Sequence, residues 1–382
     1  MDIAALLDDK RICVCAGAGG VGKTTTSAAI GLGMAVRGRK VCVVTIDPAK
    51  RLADALGLED LTNEPCRVDP SRLPPLAPGG ELWAMTLDSE RTFHDLIDTV
   101  APTPERADEI RANRIYRELS TAVSGSQEFT AVSKLYELQA SEEFELLVLD
   151  TPPSRNAVDF LDAPGRLLSF LDGRALQALL RPTGVGMRVL ASGASPLLGG
   201  LARVTGIDLI SDITTFFGLL GGMTEQFSAR AHEVQTLLRS RQTAFVLVTS
   251  AQGEPIDEAI WFRRTMRDTG LPFAGVVVNR FHHDLSSLEA DSDALVDELA
   301  GPLGEDGELA ARVAANFADY HVLATRDALN VARLEHELDG EPLIPVPQFD
   351  DDIHDIDGLL LVHAYLFGSD AERARLLDDL VA

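Results

Sequence analysis

Gly17-Ala18-Gly19-Gly20-Val21-Gly22-Lys23-Thr24-Thr25 follows the apolar run Ile12-Cys13-Val14-Cys15-Ala16 and leads into Ser27-Ala28-Ala29-Ile30-Gly31-Leu32-Gly33-Met34-Ala35. This reads as a strand, a glycine-rich turn and a helix, with the G-x-x-x-x-G-K-[ST] spacing of a phosphate-binding loop. Glycines let successive backbone N–H groups converge on phosphate oxygens with no Cβ in the way. The helix that starts at the loop adds its N-terminal partial positive charge at the same point. Lys23 has the reach for β- and γ-phosphates, and the Thr24 hydroxyl suits a place on Mg²⁺. An empty glycine-rich turn would not account for the Lys-Thr pair that ends the loop. Gly17, Gly19, Gly20, Val21, Gly22, Lys23, Thr24 and Thr25 are therefore candidate contacts for a nucleoside triphosphate.

Outward from the loop, further apolar runs alternate with helical spacing. Lys40–Ile46 is a β-branched run of the kind that forms buried parallel strands, and it ends in the polar Asp47-Pro48-Ala49-Lys50-Arg51. Polar loops at the carboxyl ends of parallel strands are where open α/β sheets bind ligands. Residues 62–80 carry five prolines and predict an irregular connection. Leu82–Leu87 predicts another strand. From about 89 to 141 the spacing is helical, broken at Ala101–Pro104 and near Ser124–Ser126. Phe144–Asp150 is a strand ending in a carboxylate, the arrangement that holds Mg²⁺ downstream of a phosphate loop. Asp150 and Thr24 are thus the candidate metal residues.

Residues 161–241 differ in character: apolar residues at helix-like spacing flank 184–206, a segment rich in Gly, Ala, Ser and Leu. They predict a helical insertion that packs against the domain or a second subunit, or offers an apolar groove to a client segment. Strands at 244–249 and 273–279, a helix near 255–269 and another at 305–338 follow. A short extended segment at 342–347 and a final helix at 359–367 close the pattern. Strand–helix alternation without an internal repeat predicts one α/β fold: a doubly wound, mostly parallel sheet. Residues 1–160 and 242–382 form its core, with the helical excursion at 89–141, and 161–241 form the insertion.

A chain of 382 residues with 46% hydrophobic and 24% charged residues has the composition of a globular protein rather than a disordered one. Its formal net charge of −25 argues against binding nucleic acid or an anionic membrane through the surface as a whole. The acidic N-terminus does not resemble a signal peptide, and no apolar run approaches the ~20 residues of a bilayer span. The expected location is cytoplasmic, with any membrane association peripheral and made through a partner. Cys13, Cys15 and Cys42 fall in strand runs and read as small buried hydrophobes; Cys66 falls in a loop.

Taken together, these segments resemble the ArsA/Get3 family of ATPases, of the deviant Walker A class of P-loop NTPases that also contains MinD-like and nitrogenase-iron-protein-like dimers. Gly17–Thr24 looks like the family's G-K-G-G-V-G-K-T. Asp47-Pro48-Ala49 through Asp54 is similar to its first switch, and Asp150-Thr151-Pro152-Pro153-Ser154 to its second. Val278-Asn279-Arg280 resembles a strand end whose Asn contacts adenine, and Val346-Pro347 with the acidic segment after it resembles an adenine-side loop. A guanine-reading N-K-x-D is missing after Val278, which favours ATP over GTP. The resemblance implies that Asp54 orients and activates the attacking water, that Asp47 and Lys23 serve the same chemistry, and that Asp150 lies in the outer shell of Mg²⁺. It implies a homodimer, or a heterodimer with a paralogous ATPase, that opens and closes with ATP. Alternatives are a weakly hydrolytic regulatory subunit, a membrane-protein targeting or chaperone factor using 161–241, or the ATPase subunit of an anion or metalloid pump. The family's zinc-bridging C-x-x-C and its arsenite-binding cysteines have no counterpart here.

Ala18 departs from the pattern, since the family places there a second lysine that reaches the nucleotide of the opposite subunit. Alanine has no charge to donate. The resemblance then implies slow hydrolysis by the chain alone and asymmetric, partner-dependent turnover with a paralogue. Lys50, in the first switch, is a candidate to substitute within the same chain.

Overall fold

The structure is a computed structural model that describes residues 2–47, 50–113, 116, 124–151, 224–283 and 307–381. The strands are β1 (Ile12–Ala16), β2 (Lys40–Thr45), β3 (Cys66–Arg67), β4 (Glu81–Thr86), β5 (Leu146–Asp150), β6 (Thr243–Ser250), β7 (Phe273–Phe281) and β8 (Leu343–Pro347). They form one eight-stranded sheet in the order β3-β4-β2-β5-β1-β6-β7-β8. Every neighbouring pair is parallel except β3 with β4. Side chains of β1, β5 and β6 are buried on both faces, which is why these strands read as unbroken apolar runs. Strands β2 to β5 all lie on one side of β1 and β6 to β8 on the other, so the fold is the doubly wound P-loop NTPase type.

The helices, in chain order, are α1 (Ile3–Leu7), α2 (Lys23–Val36), α3 (Arg51–Ala55), α4 (Ser89–Val100), α5 (Pro104–Ala112) and α6 (Ser124–Ala140). They continue as α7 (Thr224–Leu238), α8 (Gly253–Thr269), α9 (Gly307–Leu338), α10 (Ile356–Phe367) and α11 (Asp370–Val381). Eleven of the fourteen residues of α2 are buried, because it lies between the sheet and α10. Glycines allow that closeness. A Cβ on Gly31 would come within 2.4 Å of a Val43 methyl, and one on Gly33 within 2.2 Å of the Phe367 ring.

Three features differ from the sequence expectation. The stretch 62–80 is not wholly irregular, because Cys66 and Arg67 pair antiparallel with Ala84 and Trp83 as an edge strand. Two residues are too few for a periodic signal. Helix α1, capped by Asp2 through a 2.9 Å bond from the Ala5 N–H, precedes the first strand. Helix α10 is not the last, since α11 follows it. There the Ser369 hydroxyl accepts from Glu372 N–H at 3.3 Å, and the Glu372 carboxylate accepts from Ser369 N–H at 2.7 Å, a reciprocal capping box.

The chain divides into two compact units: Met1–Thr86, Phe144–Ala157 and Arg241–Ala382 form one, and Leu87–Glu143 with Val158–Ser240 the other. The first holds the sheet. In the second, α6 packs against α4 and against α7, and Arg230 of α7 pairs with Glu137 of α6 at 3.2 Å. Most of the expected insertion, 161–223 with its apolar centre at 184–206, lies outside the described residues, as do Pro48, Ala49 and Pro152–Ser154 of the two switch segments. No helix among the described residues is long and apolar enough to cross a membrane.

The α2–α10 contact gives a test of packing. Gly33→Ala gains about 1 kcal/mol of helix propensity but overpacks a tight contact at a cost of about 1–3 kcal/mol, so a net loss is expected. A urea midpoint below that of the wild type is the expected result, and an unchanged or higher midpoint would contradict the packing.

Candidate active site

The carboxyl ends of β1, β2, β5, β7 and β8 face one cleft of about 600 Å³. The loop between β1 and α2 is shaped by two glycines that no other residue could replace. Gly17 passes so close to β6 that a Cβ would lie 2.0 Å from the Val248 carbonyl oxygen. Gly22, the N-cap of α2, has φ 90°, and a Cβ there would meet the Asn279 side chain at 2.2 Å. Asn279 Nδ2 donates to the Val21 carbonyl at 2.9 Å, so the end of β7 braces the loop.

Lys23 opens α2 and is only 6% exposed. Its Nζ donates to the Ala18 carbonyl at 2.6 Å, folding the side chain back over the loop. Burial lowers its pKa, while the carboxylates of Asp150 and Asp47 act to hold the ammonium charged and the Arg51 charge lowers it further. One residue into the helix, Thr24 Oγ1 donates to Asp150 Oδ2 at 2.7 Å, and Thr45 Oγ1 at the end of β2 donates to the same oxygen at 2.9 Å. Asp150 is 1% exposed, and its Oδ1 has no hydrogen-bond partner among the described residues. Burial raises the Asp150 pKa; the two hydroxyls and the Lys23 charge oppose that without overcoming it. A buried, half-satisfied carboxylate beside a threonine hydroxyl at a phosphate loop is the donor set that a hydrated Mg²⁺ fits.

Of the expected site residues, Gly19, Gly20, Gly22, Lys23, Thr24 and Thr25 line the cleft with Asp47, Asp54, Asn279 and Pro347. Gly17 and Val21 do not line it: Gly17 backs onto β6, and Val21 is buried and offers its carbonyl to Asn279. Asp150 lies beneath Thr24 rather than on the cleft wall. Lys50 pairs with Asp60 at 3.1 Å and is not among the lining residues. The sequence reading missed Arg51, Arg280, Phe349 and His354, all of which line the cleft. Arg280 has φ 55° at an irregularity in the β7–β8 ladder, a turn that no residue pattern announces. Just beyond it, buried Asp327 accepts from the His282 N–H at 3.2 Å, with His282 Nδ1 2.7 Å from the same oxygen.

A parallel sheet with a lysine-bearing glycine loop at its centre, a strand-end carboxylate beside it and a cleft above defines a P-loop NTPase. The sequence profile of the family described as anion-transporting ATPase matches residues 10–323, and the chain belongs to that family. It is 24% identical to ATPase ARSA1 of Chlamydomonas reinhardtii over 71% of this chain and 35% of that protein. It is 28% identical to ATPase GET3 of Malassezia globosa over 42% of this chain and 45% of that protein. With ATPase BagA of Mycobacterium tuberculosis it shares 23% identity over 86% of this chain and 87% of that one. The chain thus spans less than half the length of the ARSA1 and GET3 relatives.

Asp150 yields a prediction with a defined sign. Its folded pKa lies above its unfolded one, so the ionised carboxylate subtracts from stability at pH above the folded value. That penalty fades as pH falls through the folded pKa toward the ordinary carboxylate range. Asp150→Asn is therefore expected to raise the Tm of nucleotide-free protein at pH 7, by an amount that shrinks on acidification, and to abolish the effect of Mg²⁺ on nucleotide affinity. A lowered Tm at pH 7 with the Mg²⁺ effect intact would refute this role.

Proposed function

We propose that this chain binds Mg-ATP, hydrolyses it to ADP and phosphate, and uses that cycle to close and open a dimer formed with a second copy or a paralogous ATPase. The observation that carries the reading is the meeting of Lys23, Thr24, Asp47 and Asp54 on one cleft, with Asp150 directly behind Thr24. Phosphoryl transfer asks a protein mainly for positioning and charge neutralisation, and these are the groups that supply both.

Lys23 would exchange the Ala18 carbonyl for β- and γ-phosphate oxygens, keeping a charge-assisted bond throughout. The loop N–H groups and the N-terminus of α2 hold the phosphates in place. Asp54 orients a water toward the γ-phosphorus and takes its proton as the new P–O bond forms. The bond from the γ-phosphorus to the β,γ-bridging oxygen breaks, and ADP leaves with that electron pair. Thr24 and Asp150 would hold a divalent cation, which when bound would neutralise part of the phosphate charge. Asn279 and Pro347 lie on the other side of the cleft, where a base would sit.

Ala18 favours a second reading, in which the chain is the weakly hydrolytic, regulatory half of a heterodimer. Its side chain has no cation to offer a facing subunit.

Lys23→Ala is expected to abolish ATP binding and turnover together. Asp54→Asn is expected to keep ATP affinity and lower kcat by about 10²-fold or more. In that variant, ATP should shift the mass measured by light scattering to that of a dimer. A chain that binds ATP yet shows no turnover, alone or with any paralogue, would leave the regulatory reading standing and remove the hydrolytic one. Ala18→Lys is expected to raise the turnover of the chain alone; a rate equal to the wild type would show that no cation is wanting at that position.

A further inference from the structure

Helix α3 is a single short turn, and its residues divide cleanly. Leu52, Ala53 and Ala55 are buried, with Leu56 after them, whereas Arg51 and Asp54 are exposed and both line the cleft. Spaced three apart, they share one face of the turn. The residue expected to activate water therefore arrives with a guanidinium beside it, presented by the same turn.

The cations of the cleft differ in what they are free to do. Lys23 is buried at the loop and bound to the Ala18 carbonyl. Arg280 follows Asn279 at the end of β7, on the side where Pro347 and Gln348 lie. Lys50, one residue before α3, is turned away to Asp60. Arg51 opens α3, which packs against α2, and it lines the cleft together with Lys23 and Thr24. Among the described residues no carboxylate is paired with it. The same cleft carries Asp47, Asp54, Asp351 and Asp352 on its walls, in a chain with a formal net charge of −25. A polyanionic substrate entering it needs local positive charge wherever its own charge grows.

We propose that Arg51 is a catalytic residue of this site, a guanidinium supplied by the chain itself to the γ-phosphoryl oxygens and the β,γ-bridging oxygen as the bond from the γ-phosphorus to that bridging oxygen breaks. Its planar fork can donate two bonds to adjacent phosphate oxygens, which a lysine cannot reproduce. Lys23 and the loop N–H groups bind the resting phosphates. Arg51, sharing its turn with Asp54, acts where charge develops during attack by water. The inference rests on the hydrolytic reading above and extends it: whatever turnover the chain has alone depends on Arg51.

The test uses the full chain as wild type, Arg51→Ala, Arg51→Lys and Lys50→Ala. Steady-state hydrolysis is measured beside affinity for a fluorescent ADP analogue and capture of ADP with aluminium fluoride, a mimic of the transferring phosphoryl group. Arg51→Ala is expected to lower kcat by about 10²-fold or more and to lose fluoroaluminate capture, while ADP affinity stays within about threefold. Arg51→Lys recovers part of the rate, millimolar guanidinium partly rescues Arg51→Ala, and Lys50→Ala behaves as wild type. An Arg51→Ala kcat within about threefold of wild type, or a parallel loss of ADP affinity and capture, overturns the proposal. If the wild type binds ATP without turning it over, the hydrolytic reading is what fails. Fluoroaluminate capture then decides Arg51 separately, and unchanged capture in Arg51→Ala removes its role.

Discussion

A single carboxylate oxygen ties the site together. Asp150 Oδ2 accepts from Thr24 on α2 and from Thr45 on β2, so α2, β2 and β5 are held to one point at the carboxyl edge of the sheet. The register makes this possible, because β5 lies between β1 and β2 and brings Asp150 level with Cys15 on one side and Thr45 on the other. The carboxylate is buried to satisfy this geometry, and burial penalises its charged form. Two hydroxyl donors and the nearby ammonium of Lys23 offset part of that cost, yet Oδ1 has no partner among the described residues. An unsatisfied buried oxygen costs about 1–3 kcal/mol. A strand-end threonine or serine would make a comparable bond without that cost, so the carboxylate earns its place through charge rather than through fold stability.

Much of this was legible in the sequence for a plain reason. Parallel strands buried on both faces must be continuous apolar runs, and such a run followed by Gly17–Thr24 has few other interpretations. The runs at 12–16, 40–46, 144–150 and 244–249 each correspond to a strand. Local signals too short to stand above their surroundings were lost. The pair Cys66–Arg67 is specified by its neighbour β4 rather than by its own pattern. The Ser369–Glu372 capping box is a true sequence signature of a helix start, hidden by the natural end of the apolar run at Phe367.

The site was legible only where its residues act through type and spacing. Lys23 and Thr24 belong to a motif whose chemistry fixes its order. Arg51 does not, because facing a cleft depends on which side of a five-residue turn is buried, and that is decided by Leu52, Ala53 and Ala55 meeting the core. Lys50 and Arg51 are adjacent and alike in charge, so sequence cannot rank them. The helical turn can: it directs one toward Asp60 and the other into the cleft.

Asn279 shows the same division from the opposite side of the cleft. The family resemblance assigns it to a base, while the structure engages its Nδ2 with the Val21 carbonyl of the phosphate loop. The two roles are chemically compatible, since a carboxamide with one N–H committed keeps a second N–H and a carbonyl oxygen for a ligand. They are also mechanically joined. The ladder between β7 and β8 breaks register at Asn279 and Arg280, and the chain is secured again just beyond by the bonds from His282 to the buried Asp327. A group that pulls on Asn279 from the cleft therefore pulls on Val21, one residue before the Gly22 that caps α2. In the proposed reading, base and phosphate recognition would share this strand end, and the loop's conformation would answer to both ends of a bound nucleotide.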